Sequence, residues 1–138
     1  MIDENIRIAS DAKAGDLDQN ELEIFNKVKR ILDEKTKVPC TGCNYCMPCP
    51  SGVDIPTCFA CYNEIEIEGK FSALKKYIML TSLKTEKKNA SLCIKCKKCE
   101  SHCPQKIIIS EEMAKVGDAL EGIYFKPLIS IIRRFMKL

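Results

Sequence analysis

The sequence predicts a mainly α chain: an α-helical domain built around two cysteine motifs, preceded by an N-terminal helical segment. Apolar residues recur at helical spacing on both sides of the cysteines, and the 43 residues between Cys49 and Cys93 carry the same periodicity with no strand alternation. With 138 residues, 46% of them hydrophobic, the chain has room for one domain and short extensions but not for a catalytic barrel.

Taken in order, residues 3–38 read as two helices separated by a turn at Gly15. Asp18 and Glu21 form a capping-box pair at the start of the second, where Leu22, Phe25, Val28 and Leu32 share a face that needs a partner. Pro39 ends this lead-in, and residues 39–122 form the cysteine-bearing domain. Between the motifs, Ser72, Leu74, Tyr77, Ile78 and Thr81 share one helical face. Thr57 and Ser110 read as helix-starting residues, and the helix after Ser110 runs through Met113, Val116 and Leu120 to Gly122 as a C′ residue. Residues 123–138 form a basic amphipathic helix with Pro127 in its first turn. Leu128, Ile129, Ile132, Phe135 and Met136 share one face, with Ser130, Arg133, Arg134 and Lys137 opposite. Such a helix can cover the protein's own core or a neighbouring domain, lie on a membrane surface or meet an acidic partner, and the first is favoured.

Ten cysteines in a short chain suggest either disulfides or metal. The residues from Met1 to Asn5 carry no basic stretch followed by an apolar run, so a cytoplasmic location is expected, where metal ligation is the better explanation of tight CxxC steps. The two motifs superimpose as a repeat: Cys40, Cys43 and Cys46 map onto Cys93, Cys96 and Cys99 at an offset of 53, and Cys49-Pro50 onto Cys103-Pro104 at 54.

The second motif matches C-x₂-C-x₂-C-x₃-C-P, the run that binds cubane 4Fe–4S clusters, in which the fourth cysteine ligates the other cluster. Carried onto this chain, Cys40, Cys43, Cys46 and Cys103 hold one cluster, and Cys93, Cys96, Cys99 and Cys49 hold the second. The first motif departs from the run, because only two residues separate Cys46 from Cys49. Either Cys40 or Cys49 can therefore be the crossing cysteine, and the following proline favours Cys49. A small β-rich ferredoxin joins its motifs by a much shorter segment, so a helical dicluster domain is expected. The competing reading is a structural zinc module built from the same CxxC steps.

Cys58 and Cys61 lie outside both motifs, one helical turn apart, and read as small buried hydrophobes rather than ligands. His102 reads as a loop residue or a donor to sulfur. Lys95, Lys97 and Lys98 read as solvated, with the capacity to steer an acidic redox partner. Two clusters of about −2 apiece bring the formal charge of +3 to about −1, so net charge gives no reason to expect nucleic acid as a partner.

The run from Cys40 through Thr41-Gly42-Cys43-Asn44-Tyr45-Cys46-Met47-Pro48-Cys49 to Pro56, followed by Phe59 and Tyr62-Asn63, resembles the C-terminal ferredoxin-type region of iron–sulfur aldo/keto reductases. Cys103-Pro104-Gln105 fits the same family, and Glu4-Asn5-Ile6-Arg7-Ile8-Ala9 is similar to the segment that leaves that family's barrel. Cys58 and Cys61 are not part of the pattern. The resemblance implies an electron-transfer module working with an NADPH-binding reductase barrel as redox partner. No part of that barrel is present, so no catalytic residue is carried over. The sequence leaves three functional classes: a free electron carrier, the electron-transfer part of an oxidoreductase, and a structural zinc module.

Overall fold

In the computed structural model, which describes residues 1–136, the regular structure is helical and no strand occurs among the described residues, as the mainly α expectation requires. The helices are α1 (Ile2–Asp11), α2 (Gln19–Lys35), α3 (Ile55–Glu68), α4 (Lys70–Tyr77), α5 (Ile109–Leu120) and α6 (Phe125–Met136). A π-helical turn, Ile78–Ser82, continues α4, while 3-10 turns occupy Ala90–Leu92 and Glu100–His102. The chain divides into two units, Met1–Glu34 and Lys35–Leu138.

In the first unit the capping box forms as its residue types dictate. The Asp18 N–H donates to Glu21 Oε2 and the Glu21 N–H to Asp18 Oδ1, both at 2.9 Å, satisfying two donors that a helix start leaves open. Gly15 supplies the left-handed turn before it, at φ 90°. Neither α1 nor α2 buries a residue, so the apolar face of α2 stays exposed, with Phe25 at 60% and Val28 at 49%.

In the second unit, α3, α4 and α5 enclose the core. Gly69, at φ 86°, ends α3 and begins α4, which lets the two pack as a hairpin. Their inward residues are Cys58, Phe59 and Cys61 from α3 and Ala73 and Tyr77 from α4, all fully buried. On α5, Ile109, Met113, Val116 and Leu120 close the other side. The thiols of Cys58 and Cys61 are thus core atoms: burial pushes Cys61 up to about 11 and Cys58 higher still.

Both helices that follow the motifs start earlier than sequence patterning placed them. Asp54 caps α3 by accepting from the Thr57 N–H at 3.3 Å, so Thr57 lies in the first turn. Ser110 also lies inside its helix, and its N–H donates to Glu100 Oε1 at 2.9 Å from the preceding 3-10 turn. Ser110 therefore holds the Glu100 carboxyl below the usual carboxylate range. That contact's stabilisation is present above about pH 4.3 and is lost as pH falls through the depressed value. Gly122 follows α5 without a left-handed φ, because Glu121 ends the helix at φ −117° and ψ 52°.

The face that α6 turns inward also differs from expectation. Phe125 and Ile129 are buried, whereas Leu128, Phe135 and Met136 are exposed. Arg133, assigned by patterning to the solvent side, turns toward the π-helical turn and donates to the carbonyls of Ser82, Lys84 and Thr85 at 2.9, 2.5 and 3.0 Å. Carbonyls at the end of a helical segment lack intrahelical donors, and a guanidinium satisfies several at once. Lys137, assigned to the basic face, lies outside the described residues.

Tyr77 joins three segments of this unit. Its hydroxyl donates to Glu121 Oε1 and accepts from the Ala90 N–H at 2.7 Å, while its ring meets Phe125 with centroids 6.0 Å apart. Glu121 in turn accepts from the Ser91 N–H at 3.0 Å and from Asn89 Nδ2 at 2.9 Å, which fixes the chain just before Cys93. Replacing Tyr77 by Phe keeps the packing and removes both hydroxyl bonds, leaving the buried Ala90 N–H unsatisfied. Thermal or denaturant unfolding of Tyr77→Phe is expected to show a loss of about 1–3 kcal/mol; unchanged stability would contradict this role.

Candidate metal centres

The two motifs are held by tethers from the helices. Asn63 on α3 clamps the chain before the first: the Val38 N–H donates to Asn63 Oδ1 at 2.9 Å, and Asn63 Nδ2 donates to the Val38 carbonyl at 2.8 Å. Beside it, Lys37 pairs with Glu66 at 2.6 Å and lies 5.4 Å from the centroid of the Tyr62 ring. Glu121 and Tyr77 do the same work before the second motif. Each cysteine loop is therefore anchored at its entry, and the helix that follows it fixes its exit.

Within the loops the repeat extends to the backbone. Positive φ values occur at Gly42 (68°) and Asn44 (65°) in the first copy and at Lys95 (55°) and Lys97 (60°) in the second, positions related by the same offset as the cysteines. Gly52 (77°) and Lys106 (53°) repeat it after each Cys-Pro. The turn hydrogen bonds match as well: Met47 to the Asn44 carbonyl at 2.9 Å and Glu100 to the Lys97 carbonyl at 3.0 Å. Left-handed residues interspersed among ordinary ones turn neighbouring N–H groups to one side and make the concavities that bind anions, iron–sulfur clusters among them.

Eight of the ten cysteines surround two cavities, and each cavity draws on both motifs. One, of about 360 Å³ including its mouth, is lined by Cys49, Cys93, Cys96 and Cys99. The other, of about 320 Å³, is lined by Cys40, Cys43, Cys46 and Cys103. Of the two cysteines that spacing left as candidates for crossing, Cys49 stands at the cavity of the opposite motif and Cys40 at that of its own. Among the described residues no three His, Cys, Asp or Glu side chains converge on a point that a single ion could fill; the thiols ring wider spaces.

Apolar residues form the inner wall. Val53, Ile55, Ile109 and Met113 line the first cavity, and Ile55, Phe59, Ile107 and Ile109 the second. Ile55 and Ile109, equivalent positions of the repeat, thus stand between the two. In each copy the middle cysteine, Cys43 or Cys96, is exposed and the others are partly buried. Burial pushes the Cys40 and Cys46 thiols up, with the Gly42 N–H working against this at Cys40, and pushes Cys99 up to about 11. Soft sulfur donors, a backbone concavity and an apolar wall suit a cubane cluster, and loading one requires these thiols to release their protons.

Cys58 and Cys61 line neither cavity. His102 is exposed and shares a surface groove with Tyr45, Cys46, Pro48, Lys98 and Cys99. The Asn63 and Glu121 clamps and the isoleucine pair escaped sequence reasoning; the left-handed pattern had one signal, the Gly42 and Asn44 of the first copy.

Comparison with known families gives a match to the model of the 4Fe-4S dicluster domain over residues 39–108, just over half of the chain. No curated protein and no solved structure matches it.

The left-handed positions can be tested with two glycines whose added Cβ would meet no atom within 4 Å. Gly42→Ala forces alanine into a left-handed conformation and is expected to cost about 1–2 kcal/mol. Gly117→Ala, inside α5, is expected to gain about 0.5–1 kcal/mol. Thermal unfolding of both variants checks the contrast, and equal shifts would contradict it.

Proposed function

The chain belongs to the 4Fe-4S dicluster domain family, and from that premise we propose that it is an electron-transfer module of an aldo/keto reductase-like oxidoreductase. It holds two 4Fe–4S clusters. We assign Cys40, Cys43, Cys46 and Cys103 as ligands of one and Cys93, Cys96, Cys99 and Cys49 as ligands of the other. The observation that carries this assignment is the ring of four cysteines, three from one motif and one from the other, around each cavity.

Each cluster, when bound, accepts or gives one electron at a time. The chain's own residues set the conditions: thiolates supply the ligands, the loop N–H groups offset their negative charge, and the isoleucine pair keeps water from between the centres. Organic chemistry is the work of a partner, which the resemblance names as a reductase barrel. The exposed apolar stripe of Leu22, Phe25 and Val28 on α2 supports a helix-mediated contact with it.

Anaerobic iron, sulfide and zinc analysis, with absorption spectra before and after dithionite, tests the function. About eight irons and eight sulfides with a brown band that bleaches on reduction are expected. A colourless protein with stoichiometric zinc would overturn electron transfer in favour of a structural module.

A further inference from the structure

The two cysteine loops share a backbone but not a charge. From Cys40 to Val53 the first copy has no charged side chain, whereas from Cys93 to Ile107 the second has Lys95, Lys97, Lys98, Lys106 and a single acid, Glu100. The four lysines replace Gly42, Asn44, Tyr45 and Gly52 at equivalent positions. All four are exposed, and none takes part in a salt bridge among the described residues. Glu100 is occupied at the start of α5 by the Ser110 N–H. The remaining charged groups near Cys93 are Asp118, Glu121 and Lys126, which share a groove with Lys95, and Glu121 is engaged by Asn89 and Ser91.

Three of these lysines have left-handed backbone, at φ 55°, 60° and 53°. Glycine and asparagine adopt that conformation most easily, and the first copy uses them there. The second copy keeps lysine at a steric disadvantage, at positions where the residue is exposed. Left-handed strain retained at three exposed cations points to function.

We propose that the lysine-rimmed loop, around the cavity of Cys49, Cys93, Cys96 and Cys99, is the docking site of an acidic one-electron carrier protein. The proposal deepens the electron-transfer function and rests on it. Positive charges concentrated at one rim attract an acidic partner even when the whole molecule carries about one net negative charge, and they orient it with its centre toward this cavity. One electron then passes from the reduced carrier to the oxidised centre behind the ring; the carrier loses one, the centre gains one, and no bond or proton is exchanged.

The test uses a strongly acidic flavodoxin as probe and a variant in which Lys95→Gly, Lys97→Asn, Lys98→Gln and Lys106→Gly are combined. These substitutions suit the backbone, so the variant should fold and keep its iron. Calorimetric titration of the oxidised proteins should give a Kd about tenfold or more weaker for the variant at low salt, and stopped-flow reduction by flavodoxin hydroquinone should slow at least as much and lose its salt dependence. An unchanged Kd, rate and salt dependence would overturn the docking site, while dithionite bleaching of both proteins would show the electron-transfer function intact. If dithionite bleaches neither, the function itself fails and the docking site with it. Tighter binding of duplex DNA than of flavodoxin, abolished by the same variant, would assign the ring to nucleic acid and also overturn the proposal.

Discussion

The crossing of cysteines between two halves of a repeat is the constraint on which the second unit depends. Three thiols of each cavity lie within one short loop, and the fourth comes from across the domain. A chain of this size buries a small core, here mainly the inward faces of α3, α4 and α5, and small cores gain much from cross-links. A cluster bound by such a set would tie two segments separated by more than forty residues and couple metal loading to folding.

The helices serve that crossing. The helix after each motif starts just behind its Cys-Pro, and its first inward isoleucine, Ile55 or Ile109, becomes a wall shared by both cavities. Opposite, Asn63 and Glu121 grip the chain on its way into each loop. The loops are thereby held at both ends, while their left-handed residues bend the backbone around the site. Near-symmetry in backbone coexists with asymmetry in charge, because the lysines occupy exposed positions of the second loop.

Much of this was legible in the sequence because cysteine spacing is a strict chemical pattern. The motif rule singles out the eight cysteines that line the two cavities, and helical periodicity located α2, α5 and α6. Helix starts were misplaced because capping came from residues outside the local pattern: Glu100 reaches Ser110 from a 3-10 turn, and Asp54 stands one residue before α3. Arg133 was misassigned because patterning treats a cation as a solvent group, whereas carbonyls at the end of the π-helical turn can draw it inward. The tethers of Asn63 and Tyr77 involve long-range partners, which no local period reveals. The left-handed lysines were hidden because lysine carries no turn signal; only their glycine and asparagine counterparts do.

The crossing itself is tested most directly by counting iron in two double variants. If Cys49 serves the cluster of Cys93, Cys96 and Cys99, then combining Cys49→Ala with Cys96→Ala damages one site and should leave about four irons. Combining Cys49→Ala with Cys43→Ala damages both sites and should leave almost none. The reverse result, with iron retained in the second pair and lost in the first, would mean that each motif binds its own cluster, and the crossed architecture would be wrong.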